Sequence, residues 1–221
     1  MKENTTTAIV IADGEGSRWQ GHLGIDKHFI EIGGEKIIER TERLLHNKVD
    51  NLYIVKSNYT PKHGKVFGPK HEPENYDADK FLNSKLLWNP QGRTIVLYGD
   101  VYFTNDAIDQ ILKYKEPQWV LWCRPTPSEL TGKQWGECFA QSFWFGDTLE
   151  HNAALRRVVN LYKTGIIRRC GGWEHYRAML RLPDNLINEH LYGPRMKVID
   201  DWTEDFDHPF DYDRFIERFN K

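Results

Sequence analysis

The chain has 221 residues, 39% of them apolar and 28% charged, which suffices for one sizeable core and excludes disorder over most of its length. Its 30 basic residues against 32 acidic ones leave a net charge of −2, which gives no support to a nucleic-acid-binding surface. No apolar run approaches the ~20 residues that span a bilayer, and the polar stretch from Met1 to Thr7 lacks the apolar core of a signal peptide.

A cytoplasmic protein without a membrane partner is therefore expected. The cysteines Cys123, Cys138 and Cys170 are widely spaced and form no C-x-x-C pair, so neither a zinc site nor a disulfide framework is expected.

The first apolar run, Thr7 to Ala12, is short and β-branched and is closed by glycines, which predicts a buried strand ending in a loop. That loop runs through Asp13-Gly-Glu-Gly-Ser-Arg18 and on to Lys27. Gly33 and Gly34 make a turn, after which Ile37, Ile38, Thr41, Leu44 and Leu45 fall on one helical face. Asn51 to Val55 is a second strand, and Lys56 to Asp79 reads as an irregular excursion followed by a helix from Lys80 to Leu87. Thr94 to Tyr98 is a buried strand ending at Gly99-Asp100, and Thr104 caps a helix through Lys113 with Ile108, Ile111 and Leu112 inward. Trp119 to Cys123 and Cys138 to Phe145 read as strands.

A helix from Asp147 to Lys163 rests on Leu149, Leu155, Val158, Val159 and Tyr162, and a shorter one spans Trp173 to Leu182. Met196 to Asp200 is a late strand, and Pro209 opens a terminal helix carrying Phe210, Phe215, Ile216 and Phe219. This order predicts an α/β fold with a mostly parallel central sheet and helices on both faces. No repeat or composition shift divides residues 1–221, so a single domain is expected.

Gly14 and Gly16 allow the backbone to turn tightly and approach a phosphate, and Arg18 adds a forked, permanent charge suited to phosphate oxygens. The spacing is neither the dinucleotide fingerprint nor a Walker loop, and by itself it reads better as an ordinary surface turn. Lys27 gains interest only from standing between that loop and the first helix. Asp100 sits where ligands of open α/β sheets gather, beyond the carboxyl end of a strand, and Thr104 already supplies the next helix cap. Five acids, Asp200, Asp201, Glu204, Asp205 and Asp207, crowd before His208-Pro209, and a cation would relieve their repulsion. No Ser-His-Asp or Cys-His arrangement stands out.

Ala8-Ile-Val-Ile-Ala-Asp-Gly-Glu-Gly-Ser-Arg18, then Asp26-Lys27, then Ile32-Gly-Gly-Glu-Lys-Ile-Ile-Glu-Arg40 resembles the opening of the NTP transferases of the sugar nucleotidyltransferase and molybdenum-cofactor guanylyltransferase-like type. That family opens with Leu-Ala-Ala-Gly-x-Gly-x-Arg and a later Pro-Lys. Val96-Leu-Tyr-Gly-Asp-Val-Tyr-Phe103 resembles its central strand, and Asp205-Phe-Asp-His-Pro209 its late acidic element. Asp13 replaces an Ala and Asp26 a Pro of the family pattern; the first leaves base identity open, and the second puts a negative charge beside Lys27. The match is thin from Ser57 to Asn83 and from Pro125 to Pro194, where an acceptor would bind.

The resemblance implies a GT-A, Rossmann-like nucleotidyltransferase that moves an NMP from an NTP to a phosphorylated acceptor and releases pyrophosphate. Ala12, Asp13, Gly14, Gly16, Ser17, Arg18 and Lys27 would line the nucleotide site, with Arg18 and Lys27 stabilising the departing pyrophosphate. Asp100 and Asp207 would hold magnesium, or manganese, with Asp205 the rival of Asp207. A related glycosyltransferase using a nucleotide-sugar is the alternative, to which Trp119, Trp122, Trp135, Trp144 and Trp173 bear as stacking or core residues. In that case Glu174 or His175 would offer a base, although residues at a helix start are ordinarily exposed. A non-catalytic nucleotide-binding module is the third reading, which the presence of Arg18 and Asp100 disfavours.

Overall fold

The computed structural model describes residues 5–14, 16–68, 81 and 84–221. In chain order, β1 (Thr6–Ile11) leads into the glycine loop, and a hairpin of β2 (Glu31–Ile32) and β3 (Glu35–Lys36) feeds α1 (Ile37–Leu45). Gly33 and Gly34 turn that hairpin with φ of +61° and +79°, values that favour glycine. β4 (Asn51–Val55), β5 (Lys65–Phe67), β6 (Arg93–Tyr98), the short β7 (Val101–Tyr102) and α2 (Asn105–Lys113) follow. Next come β8 (Val120–Arg124), β9 (Glu137–Trp144), α3 (Thr148–Lys163) and α4 (Gly172–Met179). β10 (Met196–Val198), β11 (Glu204–Asp205) and α5 (Pro209–Phe219) close the chain.

Among the described residues, seven strands form the central sheet in the order β10-β8-β9-β6-β1-β4-β5. All neighbours are parallel except around β9, which runs antiparallel to both β6 and β8. Alternation along β1 sets the layers. Ala8 and Val10 pack with α1 and α2, whereas Ile9 and Ile11 pack with α3 and α4. The mostly parallel sheet covered on both faces is thus the architecture expected from the sequence. A third cluster, built on Trp19, Ile30, Ile37, Phe206 and Phe215, seats α5 against the glycine loop.

Local chemistry accounts for most boundaries. The inward face expected of α1 is buried at Ile37, Ile38, Thr41, Leu44 and Leu45. Thr104 caps α2 by accepting from the Ala107 N–H at 3.0 Å. Pro209 opens α5, and Asp211 accepts from the His208 N–H at 2.9 Å.

Several expectations need correction. β5 falls inside the segment read as an excursion; among the described residues it pairs with β4 only, at the sheet edge, and its mostly exposed residues carry no burial period. Residues 69–80, 82 and 83 lie outside the described residues, so of the helix expected over 80–87 the described parts are Phe81, which is helical, and a 3-10 turn at Ser84–Leu87. On α3, Leu149 is 82% exposed and Tyr162 36% exposed, and His151, Ala154 and Leu161 complete the inward face. Leu149 stands two positions from His151, about 200° around the helix, so it must point outward. α4 ends at Met179 rather than Leu182, and Phe210 on α5 is exposed.

Candidate active site

β6 must pass close to β1 before it can present Asp100. The Gly99 N–H donates to the Ile11 carbonyl at 2.8 Å, and a Cβ at Gly99 would stand 2.5 Å from that of Ala12. Only glycine fits this approach. Beyond it, β7 pairs antiparallel with β11, matching Val101 to Asp205, and the Phe206 N–H donates to the Asp100 carbonyl at 3.1 Å. Alternation puts Asp205 and Asp207 on one side of that segment. The carboxylates of Asp100, Asp205 and Asp207 consequently lie within 4.8 Å of one another, although Asp100 and Asp207 are more than 100 residues apart in the chain.

Cations meet these acids from two directions. Lys27, buried in a turn at Lys27–Phe29, places its Nζ 2.5 Å from Asp100 Oδ2 and 3.3 Å from Asp207 Oδ1. Arg18 holds Asp207 bidentately, at 2.8 Å and 2.7 Å, with its own side chain half exposed to the cleft. Burial opposes ionisation of both Lys27 and Asp100, yet their mutual attraction wins. The Lys27 pKa is raised, and that of Asp100 is held well below the usual carboxylate range.

From behind, Lys133 is completely buried and donates to the Asp205 carbonyl at 2.8 Å and the Asp205 carboxylate at 2.9 Å. It also lies 3.0 Å from Glu137 and 3.3 Å from Asp211. Burial pushes the Glu137 carboxyl up to about 7, and burial together with the neighbouring carboxylates raises Asp205 well above its ordinary value despite Lys133. Lys133 went unnoticed in the sequence because its partners on β11 and α5 are over 70 residues away. Lys133 itself lies in the irregular segment before β9, where no burial period marks it.

The remaining residues singled out by the sequence are placed as follows. Ala12 is buried at the end of β1, beneath Gly99. Asp13 accepts from the Ser57 N–H at 3.0 Å and from its hydroxyl, tying the ends of β1 and β4 together. Gly14 is half-buried, Gly16 turns with φ +61°, and Ser17 is exposed; Glu15 lies outside the described residues. A cavity of about 320 Å³ opens between this loop and Lys27, lined from Gly16 and Trp19 round to Ile25. Asp26 turns away from Lys27. Its carboxylate takes the His28 N–H at 3.0 Å, the His28 ring and the Lys56 ammonium.

The tryptophans divide. Trp119 and Trp122 are core, Trp144 and Trp173 are half-buried, and Trp135 is 40% exposed beside the site, where its indole donates to Glu137 at 2.8 Å. Glu174 and His175 are buried, contrary to the exposure expected of a helix start. Glu174 is occupied by the Gly171 N–H, and His175 lies among aromatic rings.

Five carboxylates (Asp100, Asp205, Asp207, Asp211 and Glu137) therefore share three cationic side chains (Arg18, Lys27 and Lys133). The oxygens of Asp100, Asp205 and Asp207, gathered within 4.8 Å in a partly buried cleft, fit a divalent ion held by oxygen ligands. The donor set is all carboxylate, which suits magnesium or manganese rather than zinc or copper.

No family model matches the chain, and no curated protein matches its sequence. Solved structures do match in fold. Rv0371c from Mycobacterium tuberculosis H37Rv superposes with a TM-score of 0.63 at 13% identity, over 98% of this chain and 100% of that one. The inositol-1-phosphate CTP transferase from T. maritima gives a TM-score of 0.55 at 16% identity, covering 100% of this chain and 98% of its own. The CTP:phosphocholine cytidylyltransferase from Streptococcus pneumoniae gives 0.56 at 16% identity, covering 97% and 99%. At these identities the likeness is one of fold: the chain has the fold of nucleotidyltransferases from end to end.

Proposed function

We propose that the protein is an enzyme that transfers a nucleoside monophosphate from an NTP to a phosphorylated small-molecule acceptor, with release of pyrophosphate. The observation that carries this reading is the convergence of Arg18 and Lys27 on Asp100 and Asp207 at the mouth of a glycine loop, in a chain with the nucleotidyltransferase fold.

Phosphoryl chemistry of this kind is mainly positioning and charge stabilisation, so no side-chain nucleophile is required. The glycine loop, with Ala12 and Asp13 at its base and Gly14, Gly16 and Ser17 in its turn, would receive the nucleotide. Arg18 and Lys27 would exchange their carboxylate partners for phosphate oxygens, neutralising the charge that accumulates on the departing pyrophosphate. Asp100 and Asp207 would hold a divalent cation, with Lys133 keeping Asp205 and Asp211 in register behind them. When bound, that ion polarises the α-phosphate. The acceptor phosphate would attack the α-phosphate in line, opposite the departing pyrophosphate.

The test is product analysis of the purified protein with each NTP, a panel of phosphorylated sugars and alcohols, and magnesium. Pyrophosphate and a nucleotide-diphospho product are expected. Release of NDP from a nucleotide-sugar, with no pyrophosphate from any NTP, would establish glycosyl transfer instead.

A further inference from the structure

The turn that carries Lys27 is only three residues long, with Lys27 and His28 buried and Phe29 packed on the core, and it must aim an ammonium at two carboxylates. Asp26 begins it with φ −69° and ψ 140°. That φ is the value a proline ring imposes. The preceding Ile25 is extended, at φ −129° and ψ 159°, as a residue before proline must be. The Asp26 N–H donates to no described residue, so a ring there would break no hydrogen bond among the described residues.

The turn closes on its own backbone, the Phe29 N–H donating to the Asp26 carbonyl at 2.9 Å, and the Asp26 side chain ties it to the end of β4. One oxygen caps the turn at the His28 N–H and takes the His28 ring; the other takes Lys56, the residue that follows β4. His28 and Lys56 are both buried, at 2% and 6% exposure, so the anchor is fastened to the rigid sheet and not to a mobile surface.

We infer that Asp26 is a positioning residue: with His28 and Lys56 it forms a polar clamp that fixes the backbone of the Lys27 turn, supplying by side-chain bonds the restraint a proline ring would supply covalently. The clamp acts on the direction of Lys27 and not on its charge, since Asp26 spends both oxygens elsewhere. The inference builds on the proposed reaction only in its kinetic consequence.

A proline at position 26 can supply the backbone restraint but no carboxylate, and this separates the two roles. Removing Asp26 alone would strand the buried Lys56 charge, so both variants carry Lys56→Met. The first readout is labelling of Lys27 by an amine-reactive reagent, followed by peptide mass spectrometry, with thermal melts confirming that each variant is folded. Asp26→Ala/Lys56→Met should label Lys27 about tenfold faster than the wild-type protein, because local opening exposes the ammonium. Asp26→Pro/Lys56→Met should return the rate to near the wild-type value.

The second readout is turnover. The alanine pair should lose about a hundredfold in kcat, the scale of a misplacement of about 1 Å, and the proline pair should recover most of it. Unchanged Lys27 labelling in the alanine pair, or labelling in the proline pair as fast as in the alanine pair, overturns the inference whatever reaction the protein performs. If the alanine pair does not fold, the proline pair decides alone: wild-type protection of Lys27 supports the clamp, and its loss refutes it. Absence of nucleotidyl transfer in the wild-type protein would refute the proposed function while leaving the labelling result valid.

Discussion

At the level of single residues, Arg18 and Lys27 share one acidic partner but meet it differently. Arg18 is half exposed and reaches Asp207 from the cleft, while Lys27 is buried between Asp207 and Asp100. Arg18→Ala should therefore remove mainly transition-state stabilisation, about 2–4 kcal/mol in kcat/KM, the cost of losing one preorganised donor. Lys27→Ala should cost at least as much and also destabilise the fold, because Asp100 loses the cation that keeps it ionised while buried. Steady-state kinetics with thermal melts check both, and unchanged turnover in the two variants would mean the site lies elsewhere.

The second acid can be resolved in the same way. Asp207 faces both cleft cations, whereas Asp205 is bound through its carbonyl and carboxylate to Lys133. Asp207→Asn is expected to abolish magnesium-dependent turnover and Asp205→Asn to leave a measurable fraction; the reverse pattern would move the ligand role two residues back.

Among the elements, α3 and α4 meet through a pair of histidines that no substrate reaches. His151 and His175 are fully buried with ring centroids 5.2 Å apart, and none of their ring nitrogens has a hydrogen-bond partner among the described residues. Burial lowers the pKa of both, to about 3 for His175. Below the ordinary value of 6.5 the unfolded chain takes up protons that the folded chain refuses. Stability is therefore full above about pH 6.5 and falls with acidity down to about 3, where folded His175 titrates as well. His175→Leu should reduce the slope of unfolding free energy between pH 6 and 5 by ~1.4 kcal/mol per pH unit, measured by urea titration at each pH. An unchanged slope would mean that His175 is protonated in the folded protein.

The same scale shows what could be read in advance. β1 and β6 are continuous apolar runs buried on both faces, α1 and α2 carry period-3.6 burial, and Thr104 marks the start of α2, so all four are legible in the sequence. β7 and β11, two residues each, have no period to read, and yet they are the elements that bring Asp100 to Asp205 and Asp207. Charge crowding already pairs Asp100 with one of the late acids, but the choice of Asp207 among them rests on the family motif and on its place before the terminal helix. Lys133 could not be picked out in advance, since its role exists only once β11 and α5 are in place. The position of Asp26 was visible but its direction was not: nothing local distinguishes a carboxylate beside Lys27 from one committed to Lys56 across the loop.

For the molecule as a whole, no helix among the described residues is long and apolar enough to cross a membrane. The nucleotidyltransferase fold places the glycine loop, the end of β6 and the segment before α5 at one end of the sheet, with α5 packed back on the loop through Trp19, Phe206 and Phe215. The contacts that close the site join residues 73, 180 and 189 positions apart. Such long-range closures come late, since their chain-entropy cost is met only after the local elements have formed.

That separation has a kinetic consequence. A nucleotide and a divalent ion at these acids would find no partially folded chain to bind, because their ligands do not meet before the native topology is complete. Bound ligand should therefore slow unfolding and leave the refolding rate almost unchanged. Stopped-flow denaturant jumps with and without NTP and magnesium would show one arm of the chevron shifted and the other fixed. Acceleration of refolding by the ligand would mean that Arg18 and Asp207 already meet in the transition state, so that the site would help nucleate the fold.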